Sequence, residues 1–217
     1  MKRKLLLALS LVAAFSLGTA AIAEDLKAVK LPEPQLTIGK PLMEVLRTRQ
    51  SYRDFSDQTL PAQTLSNLLW AACGINRPDS GKRTAPSARN KQEIDVYVAT
   101  AQSLFLYEAK THSLQLVLSQ DIRAATGTQD YVKNAPVNLV YVADFSRMTE
   151  PDDASKIPLA FADTGFISEN VYLYCASERL ATVVRALIDR DKLAAIMKLR
   201  PEQKITLAQS VGLPQSK

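Results

Sequence analysis

Histidine and cysteine are scarce in this sequence, which limits the metal sites and nucleophilic centres it could build. The 217 residues include one histidine, His112, and two cysteines, Cys73 and Cys175. Two distant cysteines and one histidine do not make a tetrahedral metal site. Ser87 has no partner histidine, nothing resembles a catalytic triad, and we expect His112 to be solvated in a polar turn. The sequence therefore predicts neither a metal centre nor a hydrolase of the triad type.

The two cysteines are expected to be buried free thiols. Each lies in an apolar, helix-like stretch, Leu65–Cys73 or Val171–Ala176. A disulfide between them is the alternative, because an oxidising compartment would permit it.

The chain also lacks a strong excess of charge of one sign. It has 27 Lys and Arg residues against 22 Asp and Glu residues, which gives a formal net charge of +5. Three of the basic residues, Lys2, Arg3 and Lys4, lie at the N-terminus, and without them the balance is 24 against 22, or +2. So weak a balance gives no argument for a nucleic-acid partner.

The N-terminus has the three parts of a secretory signal peptide. The basic residues 2–4 are followed by the apolar run Leu5–Leu17 and by the small-x-small cleavage signal Ala21–Ala23. The apolar run is shorter than the about 20 residues of a membrane span. We therefore expect residues 1–23 to be removed, a periplasmic or secreted chain from Glu24 onward, and no stable membrane insertion. An uncleaved N-terminal anchor is the alternative.

The length of the mature chain fits one domain, which we expect over residues 41–217, preceded by an extended N-terminal arm over residues 24–40. We expect Thr59 to cap the second helix and Gly74 to end it. Loops are expected over residues 75–91 and 144–158. The expected helices are Pro41–Arg49, the segment after Thr59–Pro61, Leu159–Arg179 and Asp189–Lys198, and the expected strands are Ile94–Ala99, Ser103–Tyr107, Leu114–Leu118, Val137–Ala143 and Ile205–Val211.

The expected helix Leu159–Arg179 is apolar around most of its circumference. Such a helix is buried in a core or in an interface. Its small residues Ala160, Ala162 and Gly165 would let a second helix approach closely.

Arg49, Ser51 and Arg53 alternate directly after the first expected helix. On an extended segment their side chains point to one side and could hold a phosphate, since the guanidinium group forms bidentate hydrogen bonds to phosphate oxygens. Taken alone, the pattern also fits a solvated basic turn.

The loop Arg83–Gln92 and the segment Arg49–Phe55 together resemble the two N-terminal motifs of the FMN-dependent nitroreductases. The resemblance implies that Arg49, Ser51 and Arg53 bind the FMN phosphate. It implies that the loop lines the isoalloxazine ring bound to the partner subunit, through Pro86, Ser87, Ala88 and Asn90. The tract Leu69–Arg77 most resembles the branch that includes the azoline-forming peptide dehydrogenases.

The resemblance continues over residues 42–214 and implies a fold and an activity. The fold is α+β, with a mainly antiparallel central sheet flanked by helices, and the helix that contains Asp163–Leu173 forms much of a homodimer core. The activity is hydride transfer between a donor, for which NAD(P)H is a candidate, and a small organic acceptor, by a ping-pong cycle on FMN. The alternative is a flavin-binding or flavin-processing protein without nitroreductase turnover.

The C-terminal part supplies the remaining site candidates and the departures from the family. The family has a Gly-Leu-Gly segment before a strand that approaches flavin N5, whereas this chain has Arg179–Ala181, followed by the candidates Thr182 and Val183. Arg185 is interpreted either as a flavin ligand or as a surface residue. Gln129 is either a polar flavin contact or a surface residue.

The segment after Gly212–Pro214 is short. Lys217 is the candidate that completes the phosphate site. The strand that crosses to the partner in the family is missing, so we expect a smaller dimer interface than in longer relatives.

Overall fold

A computed structural model of the chain describes residues 28–215. The expected signal peptide and the candidate Lys217 lie outside these residues. The helices and strands, in chain order, are β1 Val29–Lys30, α1 Leu42–Thr48, α2 Ala62–Cys73, β2 Ile75–Arg77, β3 Lys82–Arg83, β4 Ile94–Ala99, β5 Leu104–Glu108, β6 Ser113–Leu118, β7 Val137–Asp144, α3 Asp153–Glu178, β8 Ala181–Arg185, α4 Arg190–Met197 and β9 Gln203–Gly212.

Seven of the strands form one antiparallel sheet in the order β1-β6-β5-β4-β7-β9-β8. Helices cover both of its faces. Val96 and Val98 of β4 pack toward α2 and α3, and Tyr97 and Ala99 pack with residues of α4. This alternation follows from the two-residue period of a strand. The expected α+β fold with a mainly antiparallel sheet is confirmed.

Strand β7 lies inside the sheet, between β4 and β9, and this position explains its apolar composition. All eight of its residues are buried, because each face of the strand lies under helices. Its one buried phenol, Tyr141, donates a hydrogen bond to Gln209 Oε1 at 2.6 Å. The strand predicted over Val137–Ala143 is thus confirmed.

Helix α3 begins at Asp153, six residues before the predicted start at Leu159. Asp152 is the N-cap, and its carboxylate accepts the Ser155 N–H at 2.8 Å. Pro158 lies inside the helix near its N-terminal end, where it removes one backbone hydrogen bond. The cap therefore outweighs the proline, and the expected loop 144–158 ends earlier than predicted.

Two further local predictions were wrong. Helix α2 has Pro61 as its N-cap and no side-chain cap, so Thr59 does not cap it, although Gly74 ends the helix as predicted. The expected loop 75–91 contains the antiparallel pair β2–β3. Gly81, with a φ of +62°, allows the tight turn between these strands.

His112 is buried rather than solvated, with 9 % of its surface exposed. Its Nδ1 lies 2.9 Å from the Tyr107 hydroxyl, and its Nε2 lies 2.7 Å from Ser66 Oγ and 3.1 Å from the Pro32 carbonyl oxygen. The N-terminal arm, which pairs with β6 through β1, covers the β5–β6 turn. Because this cover comes from a distant part of the chain, the polar composition of the turn could not reveal it.

Cys73 and Cys175 are free and buried, as expected. Burial raises the pKa of both thiols, that of Cys73 to about 11. None of the helices within residues 28–215 combines the length and the apolar character that a membrane span needs.

Candidate functional site

The segment Arg49–Arg53 leaves α1 in an extended conformation and runs along the edge strand β8. The Tyr52 N–H donates to the Thr182 carbonyl oxygen at 2.8 Å. This backbone contact holds the segment against the sheet. Because the segment is extended, successive side chains point to opposite sides.

Arg49 and Ser51 meet at Tyr172 of α3. The Ser51 Oγ atom lies 2.8 Å from the Tyr172 hydroxyl, and the Arg49 guanidinium carbon lies 5.1 Å from the centre of the Tyr172 ring, within the range of a cation–π contact. The same hydroxyl accepts the Val184 N–H at 3.0 Å. Arg53 is exposed. The structure thus brings two of the three phosphate candidates together.

No pattern in the sequence predicts the part that Tyr172 plays here. It lies on the apolar helix α3, where a tyrosine is expected to be core. Its hydroxyl instead joins α3, the basic segment and the edge of β8 at one point.

A cavity of about 290 Å³ lies on the other side of the basic segment. Thr48, Gln50 and Tyr52 line it, together with Lys40 and Arg179. Arg179 ends α3 with a φ of +60°, a left-handed conformation that favours glycine. The backbone therefore keeps a glycine-type geometry at a position where the resembling family has glycine.

The loop Pro86–Asn90 is held by side chains from within and from α3. The Ala88 N–H donates to Asp163 Oδ2 at 2.8 Å, and Ser87 Oγ accepts the Gln92 N–H at 2.9 Å. Three non-glycine residues are in left-handed conformations, Arg89, Asn90 and Gln92. Such backbone persists only where neighbouring contacts hold it.

Within one chain the two candidate clusters are far apart. Asp163, which holds the loop, and Tyr172, which contacts Arg49 and Ser51, are nine residues apart on α3. At a rise of 1.5 Å per residue they are separated by about 13 Å along the helix axis.

The side chains of Thr182 and Val183 are buried and make contacts within the protein. Thr182 Oγ1 donates to the Ser210 carbonyl oxygen at 2.9 Å, and Val183 packs in a cluster with Phe55 and Ala181. Both residues are buried, and the Thr182 carbonyl oxygen already accepts the Tyr52 N–H.

Arg185 is buried, so the interpretation as a surface residue is wrong. Its guanidinium group donates to Ser210 Oγ, to Thr126 Oγ1 and to Asn138 Oδ1 at 2.8 to 3.0 Å. Burial lowers the pKa of Arg185 to about 10. The sequence could not show this, because the neutral partners come from three separate segments.

Gln129 is half-buried and lies close to Arg185 at Gly127. Neither Gln129 Oε1 nor Arg185 Nε has a hydrogen-bond partner in the described chain. A Cβ atom added to Gly127 would lie 2.5 Å from Arg185 Nε and 2.8 Å from Gln129 Oε1. Glycine at position 127 therefore makes room for both groups.

The antiparallel sheet between helices, with a basic segment along its β8 edge, has the nitroreductase-like architecture. The chain belongs to the nitroreductase family, a family of oxidoreductases, and the family's sequence model matches residues 46–213.

Solved structures agree with this assignment. A candidate nitroreductase from Ralstonia eutropha JMP134 is 43 % identical, covers 91 % of this chain and 94 % of its own, and superposes with a TM-score of 0.84. The fold also matches a candidate nitroreductase from Desulfovibrio desulfuricans in complex with FMN, with 20 % identity, coverage of 82 % and 88 %, and a TM-score of 0.60. A chain of the Escherichia coli microcin synthetase McbBCD complex matches with 19 % identity, coverage of 95 % and 85 %, and a TM-score of 0.69.

Proposed function

We propose that this protein is an FMN-dependent oxidoreductase that transfers a hydride from a donor to a small organic acceptor by a ping-pong cycle. The observation that carries the proposal is the meeting of Arg49 and Ser51 at the edge of β8. In the described chain neither Arg49 nor Arg53 forms an ion pair with a carboxylate. A guanidinium and a hydroxyl without an acidic partner fit a phosphate group.

The chain's own residues would bind and orient the cofactor. Arg49, Ser51 and Arg53 would hold the phosphate, and Lys217, outside the described residues, would complete that site. Bound FMN would supply the hydride chemistry, which explains why the chain needs no nucleophile of its own. The exposed side chains of the loop Pro86–Asn90 would shape the place where the acceptor lies.

A homodimer would bring the two clusters to one flavin. The two clusters are separated by about 13 Å along α3 within one chain. This separation is bridged if the loop of one subunit faces the segment Arg49–Arg53 of its partner. Apolar side chains that are exposed in one chain support this arrangement: Leu42, Met43 and Leu46 on α1, and Ile157, Phe161 and Phe166 on α3. Large apolar side chains exposed on two neighbouring helices favour an interaction surface there.

Export and the choice of redox partners complete the proposal. The signal peptide would deliver the enzyme to the periplasm or outside the cell, and NAD(P)H is the donor to be tested first. The fold shared with a McbBCD chain and the tract Leu69–Arg77 support a place near the azoline-forming dehydrogenase branch.

A flavin-binding or flavin-processing protein without nitroreductase turnover is the second candidate. Arg179 and Ala181 favour it, because side chains stand where the family has glycines beside the flavin.

Two measurements test the proposal. The visible spectrum of the purified protein after incubation with FMN and gel filtration is expected to show retained flavin. Anaerobic addition of NADH or NADPH is then expected to bleach the flavin band. Retained flavin that no donor reduces would favour the second candidate, and a colourless protein would contradict both.

A further inference from the structure

Glu93 is a buried carboxyl group beside the loop Pro86–Asn90, and the proposed cycle does not use it. It precedes β4 and is fully buried, and neither carboxyl oxygen has a hydrogen-bond donor in the described chain. A buried carboxylate without donors is strongly disfavoured, and such groups become neutral instead. The position therefore calls for a protonated side chain.

The acidic neighbour of Glu93 is Asp163 of α3, whose side chain lies within hydrogen-bonding reach of the Glu93 carboxyl group. Asp163 is also buried, and its Oδ2 accepts the Ala88 N–H at 2.8 Å. Two adjacent buried carboxyl groups cannot both carry a charge without a large cost. Since the charged form of Asp163 is matched to the Ala88 amide, the proton belongs on Glu93.

The surrounding cations do not remove this constraint. Arg147 donates to the Gln92 carbonyl oxygen and to Asp95, and it also lies near Asp144. Arg83 and Cys73 line the same small cavity as Asp163. The pKa of Glu93 is raised to about 7; burial is the largest cause and Asp163 adds to the rise, whereas the backbone N–H of Glu93 and the charge of Arg147 lower the pKa.

We propose that Glu93 is a positioning residue, which donates a carboxyl proton to Asp163 and so fixes the carboxylate that holds Ala88 and the flavin-facing loop. The link to flavin rests on the proposed function, whereas the link to the loop does not. The left-handed residues Arg89 and Asn90 follow Ala88 directly. Loss of the Ala88 anchor would let that strained backbone relax.

The pH dependence of the stabilisation by Glu93 follows from the direction in which the pKa of Glu93 is shifted. The pKa of Glu93 is raised by burial in the folded protein, so the stabilisation by its neutral form is complete below the ordinary value of 4.5 and is lost as pH rises through about 7. Above that pH, two adjacent negative charges would push the loop away from α3.

Hydrogen exchange of the Ala88 amide tests the positioning role without flavin. The exchange rate of the unmodified chain is divided by that of Glu93→Gln at the same pH, which cancels the intrinsic pH dependence of exchange. We expect a ratio near one at pH 6 and a ratio larger by about tenfold at pH 8.5, since tenfold corresponds to a modest change in opening equilibrium. Equal ratios at the two pH values would overturn the proposal. Glu202→Gln, which changes an exposed carboxylate, is the control. The exchange rate of the unmodified chain divided by that of Glu202→Gln should be near one at both pH values.

A second variant covers the case in which Glu93→Gln does not fold. In Asp163→Asn the amide oxygen still accepts the Ala88 N–H, and the amide nitrogen can donate to a charged Glu93. The Ala88 exchange rate of Asp163→Asn, divided by that of Glu202→Gln at the same pH, is expected to fall by about tenfold between pH 6 and pH 8.5, because Glu202→Gln keeps the pH-dependent pair of carboxyl groups. A ratio that is the same at the two pH values would also overturn the proposal, because Asp163→Asn would then respond to pH as the unmodified pair does.

FMN titration separates this inference from the proposed function. The Kd for FMN of the unmodified chain is expected to rise between pH 6 and pH 8.5, and that of Glu93→Gln to stay flat. If no form binds FMN while the exchange ratios behave as expected, the proposed function fails and the positioning role stands. If FMN binds with the same pH profile in both forms, Glu93 does not position the flavin-facing loop.

Discussion

At the scale of single residues, the structure separates groups that would bind a ligand from groups that hold the site in shape. Arg49 and Ser51 reach the surface at the edge of β8. Arg185, by contrast, is buried and donates only to neutral oxygens. Replacement of Arg49 or Ser51 should therefore weaken ligand binding, whereas a change in the packing around Arg185 should lower the stability of the fold.

The replacement Arg49→Ala is expected to weaken FMN binding by about 1.5–3 kcal/mol, the worth of a hydrogen bond to a charged group. That corresponds to roughly 10- to 150-fold in Kd. Fluorescence titration with FMN measures it. Arg47→Ala, on an exposed basic residue in the last turn of α1, is the matched control and should leave the Kd unchanged. Equal affinities of the two variants would contradict the phosphate assignment.

The replacement Gly127→Ala tests the packing around Arg185. The new Cβ atom would meet Arg185 Nε and Gln129 Oε1 at distances that no side chain tolerates, so these groups must shift. We expect a loss of about 1–3 kcal/mol in the free energy of unfolding, the usual cost of overpacking. Urea denaturation measures it, with the exposed neighbour Thr128→Ala as control. An unchanged urea midpoint for Gly127→Ala would show that the crowding is relieved without cost.

At the scale of elements, the N-terminal arm is joined to the β5–β6 turn by His112. Burial lowers the pKa of this imidazole, while the Pro32 carbonyl and Glu33 oppose the shift and Lys30 adds to it. Because the folded-state pKa is lowered, the stabilisation is present above the ordinary value of 6.5 and is lost as pH falls below it.

The replacement His112→Asn is expected to remove this pH dependence. Asparagine suits the φ of +47° at this position but cannot reach both Tyr107 and Ser66. We expect a loss of about 1–3 kcal/mol in unfolding free energy at pH 7.5, the cost of unsatisfied buried partners. The difference between the unmodified chain and the variant should shrink toward pH 5. A difference that stays constant over this range would show that His112 does not titrate with unfolding.

The elements also show what the sequence could and could not predict. Strands β4 to β7 followed from apolar alternation and from buried runs, because those patterns are local. The early start of α3 and the pair β2–β3 depended on the Asp152 cap and the Gly81 turn, which compete with other local signals. The burial of His112 and Arg185 and the position of Tyr172 depend on segments far apart in the chain. Periodicity carries no information about such contacts.

At the scale of the whole molecule, the first prediction concerns export. The chain expressed with its own N-terminus in a bacterial host is expected to be recovered outside the cytoplasm with a mature N-terminus at or near Glu24. Intact-mass spectrometry measures this, and replacement of Leu5–Leu9 by polar residues is the control that should leave the full chain in the cytoplasm. Recovery of exported protein that retains Met1 or Lys2 would contradict cleavage.

The last prediction concerns assembly. Helix α3 buries Ala160, Ile167, Val171 and Cys175 against the sheet and exposes Phe161 and Phe166 on its other sides. A two-fold interface is the commonest way for a chain to cover such a surface.

We expect light scattering to show a homodimer at micromolar concentration that loses FMN when it dissociates. Phe166→Glu, which would place a charge in that interface, is expected to give a folded monomer without bound FMN. Val29→Glu is the matched control, since Val29 is about equally exposed but lies on β1, at the opposite edge of the sheet from β8. A stable monomer that still retains FMN would overturn both the interface and the placement of the loop Pro86–Asn90 across it, because one chain alone would then hold both ends of the cofactor.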